Sequence, residues 1–203
     1  MSYTAPVNEL RFGIRVHGRL DEILQLPHAE GLDAETVDAV LDEAARFASE
    51  QWAGTNRTGD LYGAGFSDDL ITTHPDLARA YYDFCEAGWA GLRAPAEFGG
   101  QGLPAVVSAV CEEMWCAANL ALSLMPMLTL GAVDALFKHG SEEQKQTYLP
   151  KMCSGEWAGT MNLSEPQAGS DLNHIATRAV PKENGAYALS GQKIFITWGD
   201  QEM

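Results

Sequence analysis

The chain has 203 residues, 46% of them hydrophobic and 20% charged, which is enough for one large domain or two small ones with a buried core and too apolar for a disordered tail. Its 13 Lys and Arg against 28 Asp and Glu leave a net charge of −15. That field repels phosphate backbones and anionic lipid, so nucleic-acid and membrane partners are not expected, although a local pocket for one phosphorylated ligand stays open.

Residues 1–12 lack the basic start and apolar stretch of a signal peptide. Further along, Asp33 is placed to cap a helix whose apolar stripe is Val37, Val40, Leu41, Ala44, Phe47 and Ala48. A second helix is predicted from Thr73, with Pro75 in its first turn, through Leu77, Tyr81 and Phe84 to a terminating Gly88. A third covers 104–118 through Val107, Val110 and Met114. Residues 120–137 are apolar almost all round and predict a buried central helix ended by His139-Gly140. Its apolar run, 120–133, is broken by Pro126 and is shorter than the roughly 18–20 residues a membrane crossing needs. Ser141-Glu142-Glu143-Gln144 reads as a capping box opening a last helix through Tyr148, Leu149 and Met152.

After Gly155 the period changes. Trp157, Gly159, Met161 and Leu163 alternate, and further strands are predicted at 176–180, 187–190 and 193–198, with Asn184-Gly185 as a turn between two of them. Helices followed by antiparallel strands imply two structural units rather than a βαβ array.

The chemistry-bearing residues say less. Glycines cluster at 88–92 and 95–104, but neither stretch gives a dinucleotide or P-loop spacing, so a tight connection needing positive φ is the better reading. Cys85, Cys111, Cys116 and Cys153 form no C-x-x-C pair and read as reduced thiols, and the five histidines lack metal-ligand spacing, so no metal site is expected. These features fit a soluble, cytoplasmic protein. In 161–171, Glu165 could be a general base, yet Pro166 beside it suits a turn and no partner acid is identifiable; Ser170 and Asp171 could cap that turn. Residue types alone name no reaction.

The stretch 161–171, M-N-L-S-E-P-Q-A-G-S-D, followed by G-Q-K-I-F-I-T at 191–197, resembles the flavin-binding signature of the acyl-CoA dehydrogenase family. G-W-A-G-L at 88–92, P-A-E-F-G-G-Q-G-L-P at 95–104, and G-S-E-E-Q-K with Tyr148-Leu149-Pro150 resemble that family's helical N-terminal domain. The opening residues are similar to the extension of a longer subgroup containing 3-methylmercaptopropionyl-CoA dehydrogenase-like enzymes. The resemblance implies an α+β chain: an N-terminal extension (1–33), an all-α helical domain (34–155) and an incomplete antiparallel β domain (156–203), with the family's C-terminal helical domain absent.

By resemblance, FAD is the cofactor, and Met161, Asn162, Leu163 and Ser164 line its ring, with the Ser164 hydroxyl on the pyrimidine edge. Phe195 stands where the family places an aromatic against one flavin face; Ile196 and Thr197 follow, the threonine hydroxyl near N5 or O4. Ser170 is implied to contact the CoA portion of the substrate. Ser164 stands for a commoner Thr and keeps the hydroxyl, while Met161 and Asn162 are not the commonest residues there. The implied reaction is α,β-dehydrogenation of an acyl-CoA thioester, electrons leaving to an electron-transfer flavoprotein. The catalytic carboxylate is implied to lie in the C-terminal domain, so no catalytic residue is expected in this chain, and homo-oligomerisation is implied for the full-length protein. Alternatives are an acyl-CoA oxidase or flavin monooxygenase on the same scaffold, or a non-catalytic remnant acting as an interaction module.

Overall fold

The computed structural model describes residues 3–203. Helices α1 (Val7–Val16) and α2 (Leu20–Ile23) lead into α3 (Ala34–Phe47), whose first turn is closed by Asp33 accepting from the Thr36 N–H at 2.7 Å. One face of α3 buries Val37, Leu41, Ala44 and Phe47, and Ile14 and Leu20 from the first two helices join the same cluster. The helix then passes through a π turn, Ala48–Trp52, before α4 (Ala53–Tyr62). A π turn advances the chain by an extra residue and rotates the faces that follow. Here it turns Trp52 inward, where its Nε1–H donates to Ser123 Oγ at 3.0 Å.

A short hairpin, β1 (Gly65–Ser67) with β2 (Leu70–Thr72), precedes α5 (Pro75–Glu86). The helix is capped from His74, one residue after the predicted Thr73, and Gly88 follows its end at φ 79 in the left-handed region. Trp52 and Phe84 lie 4.9 Å apart, and Phe84 meets Trp115 edge-on at 4.9 Å. These rings form the centre of the helical body. The glycine-rich stretch after Gly88 folds back on itself: Gln101 N–H donates to the Gly91 carbonyl and Gly102 N–H to that of Ala94. A Cβ on Gly100 would stand 2.1 Å from the Ala94 oxygen. Gly100 thus serves close backbone approach, while Gly99 and Gly102 take the positive φ values of 89 and 64 that a tight connection needs.

Helices α6 (Ala105–Ala118), α7 (Leu120–His139) and α8 (Glu142–Ser154) complete the body. The capping box at Ser141 and Gln144 forms in full. Asn119, between α6 and α7, is buried and donates to Thr55 Oγ1 while accepting from the Leu122 N–H. The predicted burial of the helix from 120 onward is corrected. Leu122, Met125, Thr129 and Val133 are inside, but Leu120, Met127 and Phe137 are exposed, because α4, α6 and α8 cover one side only. Continuing past Asp134 to His139, α7 is long and apolar enough by length and composition to cross a membrane, a test that core helices of soluble proteins also pass.

Beyond Gly155, β3 (Arg178–Pro181) and β4 (Tyr187–Ser190) form an antiparallel hairpin. The predicted strands at 157–163 and 193–198 do not form. Both segments are irregular, and Phe195 and Trp198 take φ values of 55 and 52, which turn the chain out of a pleat. The α+β class holds, with a helical body and small antiparallel sheets.

Candidate functional site

The two segments that fail to become strands are nevertheless brought together. Ile194 N–H donates to the Ser164 carbonyl at 3.0 Å, and Thr160 Oγ1 donates to the Thr197 carbonyl at 2.7 Å, so residues 160–164 and 194–197 run antiparallel side by side. Helix α7 anchors both. Gly159 N–H donates to Thr129 Oγ1 at 3.0 Å, and Trp198 Nε1–H donates to the Ala121 carbonyl at 2.8 Å.

Few cross-links leave many polar groups unused. Among the described residues, the backbone N–H groups of Met161, Asn162, Leu163 and Ser164, the Ser164 hydroxyl and the Thr197 hydroxyl make no hydrogen bond within the chain. Leu163, Ser164 and Ile196 are half-buried, whereas Met161, Asn162 and Thr197 are exposed. Phe195, 87% exposed, presents a full aromatic face from a left-handed backbone conformation. A large apolar ring held there carries a local strain of order 1–3 kcal/mol. A row of unpaired donors, two free hydroxyls and a bare aromatic suit a planar group that is apolar on its faces and polar along one edge, which is what a flavin ring offers.

Ser170 is exposed on the neighbouring turn, and Asp171 caps that turn by accepting from the Asn173 N–H at 3.1 Å. An open cavity of about 630 Å³ adjoins Ile196 and Trp198, lined also by Gly59, Leu77, Asn119 and Ala121. Of the site residues expected from the sequence, Ile196 alone lines it.

Glu165 is 3% exposed and its carboxylate is fully engaged. It accepts from Lys193 Nζ at 2.8 Å, from the N–H groups of Ala176 at 2.8 Å and Thr177 at 3.0 Å, and from the Gln167 side-chain amide. Four donors occupy the lone pairs a carboxylate has. The Lys193 ammonium first, and donors from Thr177 and Ala176 after it, hold this carboxyl well below the usual carboxylate range. Glu165 is a staple and not a base.

Sequence reading missed Lys193, whose Nζ also donates to the Leu163 carbonyl at 3.0 Å, and the anchors Thr129, Thr160 and Trp198. Only the Lys in G-Q-K carried any signal. All four cysteines are free, with Cys111 and Cys153 buried and Cys85 and Cys116 half-buried. Burial pushes the Cys111 thiol up to about 12, so it is a poor nucleophile.

Residues 34–156 match the family described as acyl-CoA dehydrogenase, N-terminal domain. The 3-methylmercaptopropionyl-CoA dehydrogenase of Ruegeria pomeroyi is 41% identical over 203 residues, covering 100% of this chain and 34% of that protein. Among solved structures, one of the electron transferring flavoprotein of Acidaminococcus fermentans superposes with TM-score 0.68 at 30% identity, covering 84% of this chain and 42% of that one. Another, acyl-CoA dehydrogenase complexed with FAD from Bacillus anthracis, gives 0.67 at 25% identity, covering 82% and 27%. The chain spans about a third of the length of the curated relatives it matches. With the family match covering more than half the chain, and a relative this similar aligned along its whole length, this chain belongs to the acyl-CoA dehydrogenase family.

Proposed function

We propose that this chain supplies the helical domain and the flavin-holding segments of an FAD-dependent acyl-CoA dehydrogenase. The observation that carries the reading is the antiparallel approach of 160–164 to 194–197, which leaves donors along one segment and a bare aromatic on the other. The N–H groups of 161–164 and the Ser164 and Thr197 hydroxyls would bond the polar edge of the ring, and Phe195 would cover one face. Ser170 would meet the CoA portion of the substrate. When bound, FAD supplies the hydride acceptor for α,β-dehydrogenation of the thioester.

With all its acceptor sites filled, Glu165 keeps the ring-holding segments in register and takes no substrate proton. The base would then come from outside these residues. An electron-transfer flavoprotein would be the electron acceptor, and the full-length enzyme would be a homo-oligomer. The experiment is purification of the protein from its complete reading frame. Stoichiometric yellow flavin, bleached by an acyl-CoA without oxygen, is expected; a colourless protein that takes up no added FAD would reject the reading. The isolated 203-residue chain is expected to bind FAD poorly and to turn over no acyl-CoA.

A further inference from the structure

Lys193 has a position that the flavin reading does not use. Its ammonium lies 2.8 Å from Glu165 Oε1 and 3.0 Å from the Leu163 carbonyl oxygen, so it bridges a carboxylate to the backbone of the opposite segment. The peptide it touches is the one joining Leu163 to Ser164. A cation on a peptide oxygen draws electron density from the amide, which makes the N–H at the other end of that peptide a stronger donor. That N–H belongs to Ser164 and has no acceptor among the described residues. The next carbonyl, that of Ser164, is held by the Ile194 N–H at 3.0 Å, so the adjoining Ser164–Glu165 peptide is fixed as well. Glu165 in turn is fixed by the Ala176 and Thr177 N–H groups, so the ammonium has a rigid seat. Its side chain is half-buried, and the carboxylate facing it is 2% exposed.

We propose that Lys193 is a positioning residue for the cofactor: clamped by Glu165, it polarises the Leu163–Ser164 peptide so that the Ser164 N–H is a strengthened donor to the polar edge of the bound flavin ring. This rests on the flavin reading above. The strengthened donor gains most when negative charge collects on that edge, so Lys193 raises the reduction potential of the bound cofactor as well as its affinity. The depressed carboxyl of Glu165 agrees with a persistent charge pair at working pH.

The test uses the protein from its complete reading frame, titrated with FAD, with the midpoint potential of the bound flavin measured spectroelectrochemically and folding checked by urea denaturation. In Lys193→Met the FAD dissociation constant is expected to rise about tenfold and the potential to fall, as loss of one charge-assisted hydrogen bond implies. Lys193→Arg, which keeps the charge, should stay within about threefold of the parent, on the same scale. Glu165→Gln should shift the potential the opposite way, upward, because it leaves the ammonium uncompensated. A staple acting only by holding the segments together would move both variants in the same direction, and that outcome, or an unchanged potential in both, overturns the proposal. If Lys193→Met fails to fold, the sign of the Glu165→Gln shift decides alone, a fall or no change counting against it. A parent protein that binds no FAD rejects the functional reading instead.

Discussion

The helical body and the segment after Gly155 are held by different kinds of interaction. In the body, Trp52, Phe84 and Trp115 pack ring on ring, and α3, α5 and α6 each bury an apolar face. In residues 156–203, Glu165 and Ala168 are the buried residues, while Tyr187, Leu189 and Phe195 are exposed, Leu189 at 77%. What shapes that second region is a handful of polar links: Glu165 to three segments, Gly159 and Trp198 to α7, and Ile194 to Ser164. Apolar burial is non-directional and sums over area. Hydrogen bonds are directional, and a few of them can place backbone accurately without providing a core. The contrast fits a division of labour in which the body is a rigid support and the second region presents unpaired groups to a ligand.

This contrast can be broken or sharpened by substitution, beginning with the largest effect. Trp52→Ala removes a fully buried indole and leaves Ser123 without its donor, so it should cost about 3–5 kcal/mol in urea denaturation. Near-parental stability would show that the aromatic cluster does not carry the body. Asn119→Ala removes both the cap on the Leu122 N–H and the link to Thr55, for a loss of about 2 kcal/mol by the same measurement.

A pH titration separates the two regions more finely. The carboxyl of Glu165 is lowered from its ordinary 4.5, so its stabilising contribution is present above that value and is lost only as pH falls through the depressed folded value. Protease resistance of 156–203 should therefore persist from pH 7 to about 5 and fail only in stronger acid. In Glu165→Gln that protection should already be weakened at pH 7. Loss of protection in the parent between pH 7 and 5 would contradict the staple. The smallest effect on stability is expected from Phe195→Ala, within about 0.5 kcal/mol, since the ring is exposed. The same change should weaken FAD binding by the full-length protein, and unaltered FAD titration would remove Phe195 from the site.

Legibility follows the same division. Asp33, Gly88 and the Ser141–Gln144 box were readable because a cap satisfies its own neighbours within three or four residues. The π turn before Trp52 was not, because it shifts the apolar period by one residue and the stripe is lost to a fixed-period reading. The hairpin at 65–72 was missed as well; its turn is Asp68-Asp69, both at positive φ, with no Asn-Gly or Asp-Gly signal. Alternation at 157–163 and 193–198 suggested strands, yet the backbone bends at Phe195 and Trp198 and leaves the ladder unmade. The motif letters located the candidate site without this geometry. They did not disclose that Glu165 is saturated by donors from residues 11, 12 and 28 positions along the chain.

The sequence by itself determined the helical body, its caps, the change of character at Gly155 and the family. Those features depend on periodicity, on short-range hydrogen bonds and on a run of motifs in order. Only the tertiary structure decided which faces stay uncovered, which segments meet across α7 and whether Glu165 is a base or a brace. Each of those depends on pairing between residues far apart in the chain, where the geometry of a few directional contacts outweighs local preference.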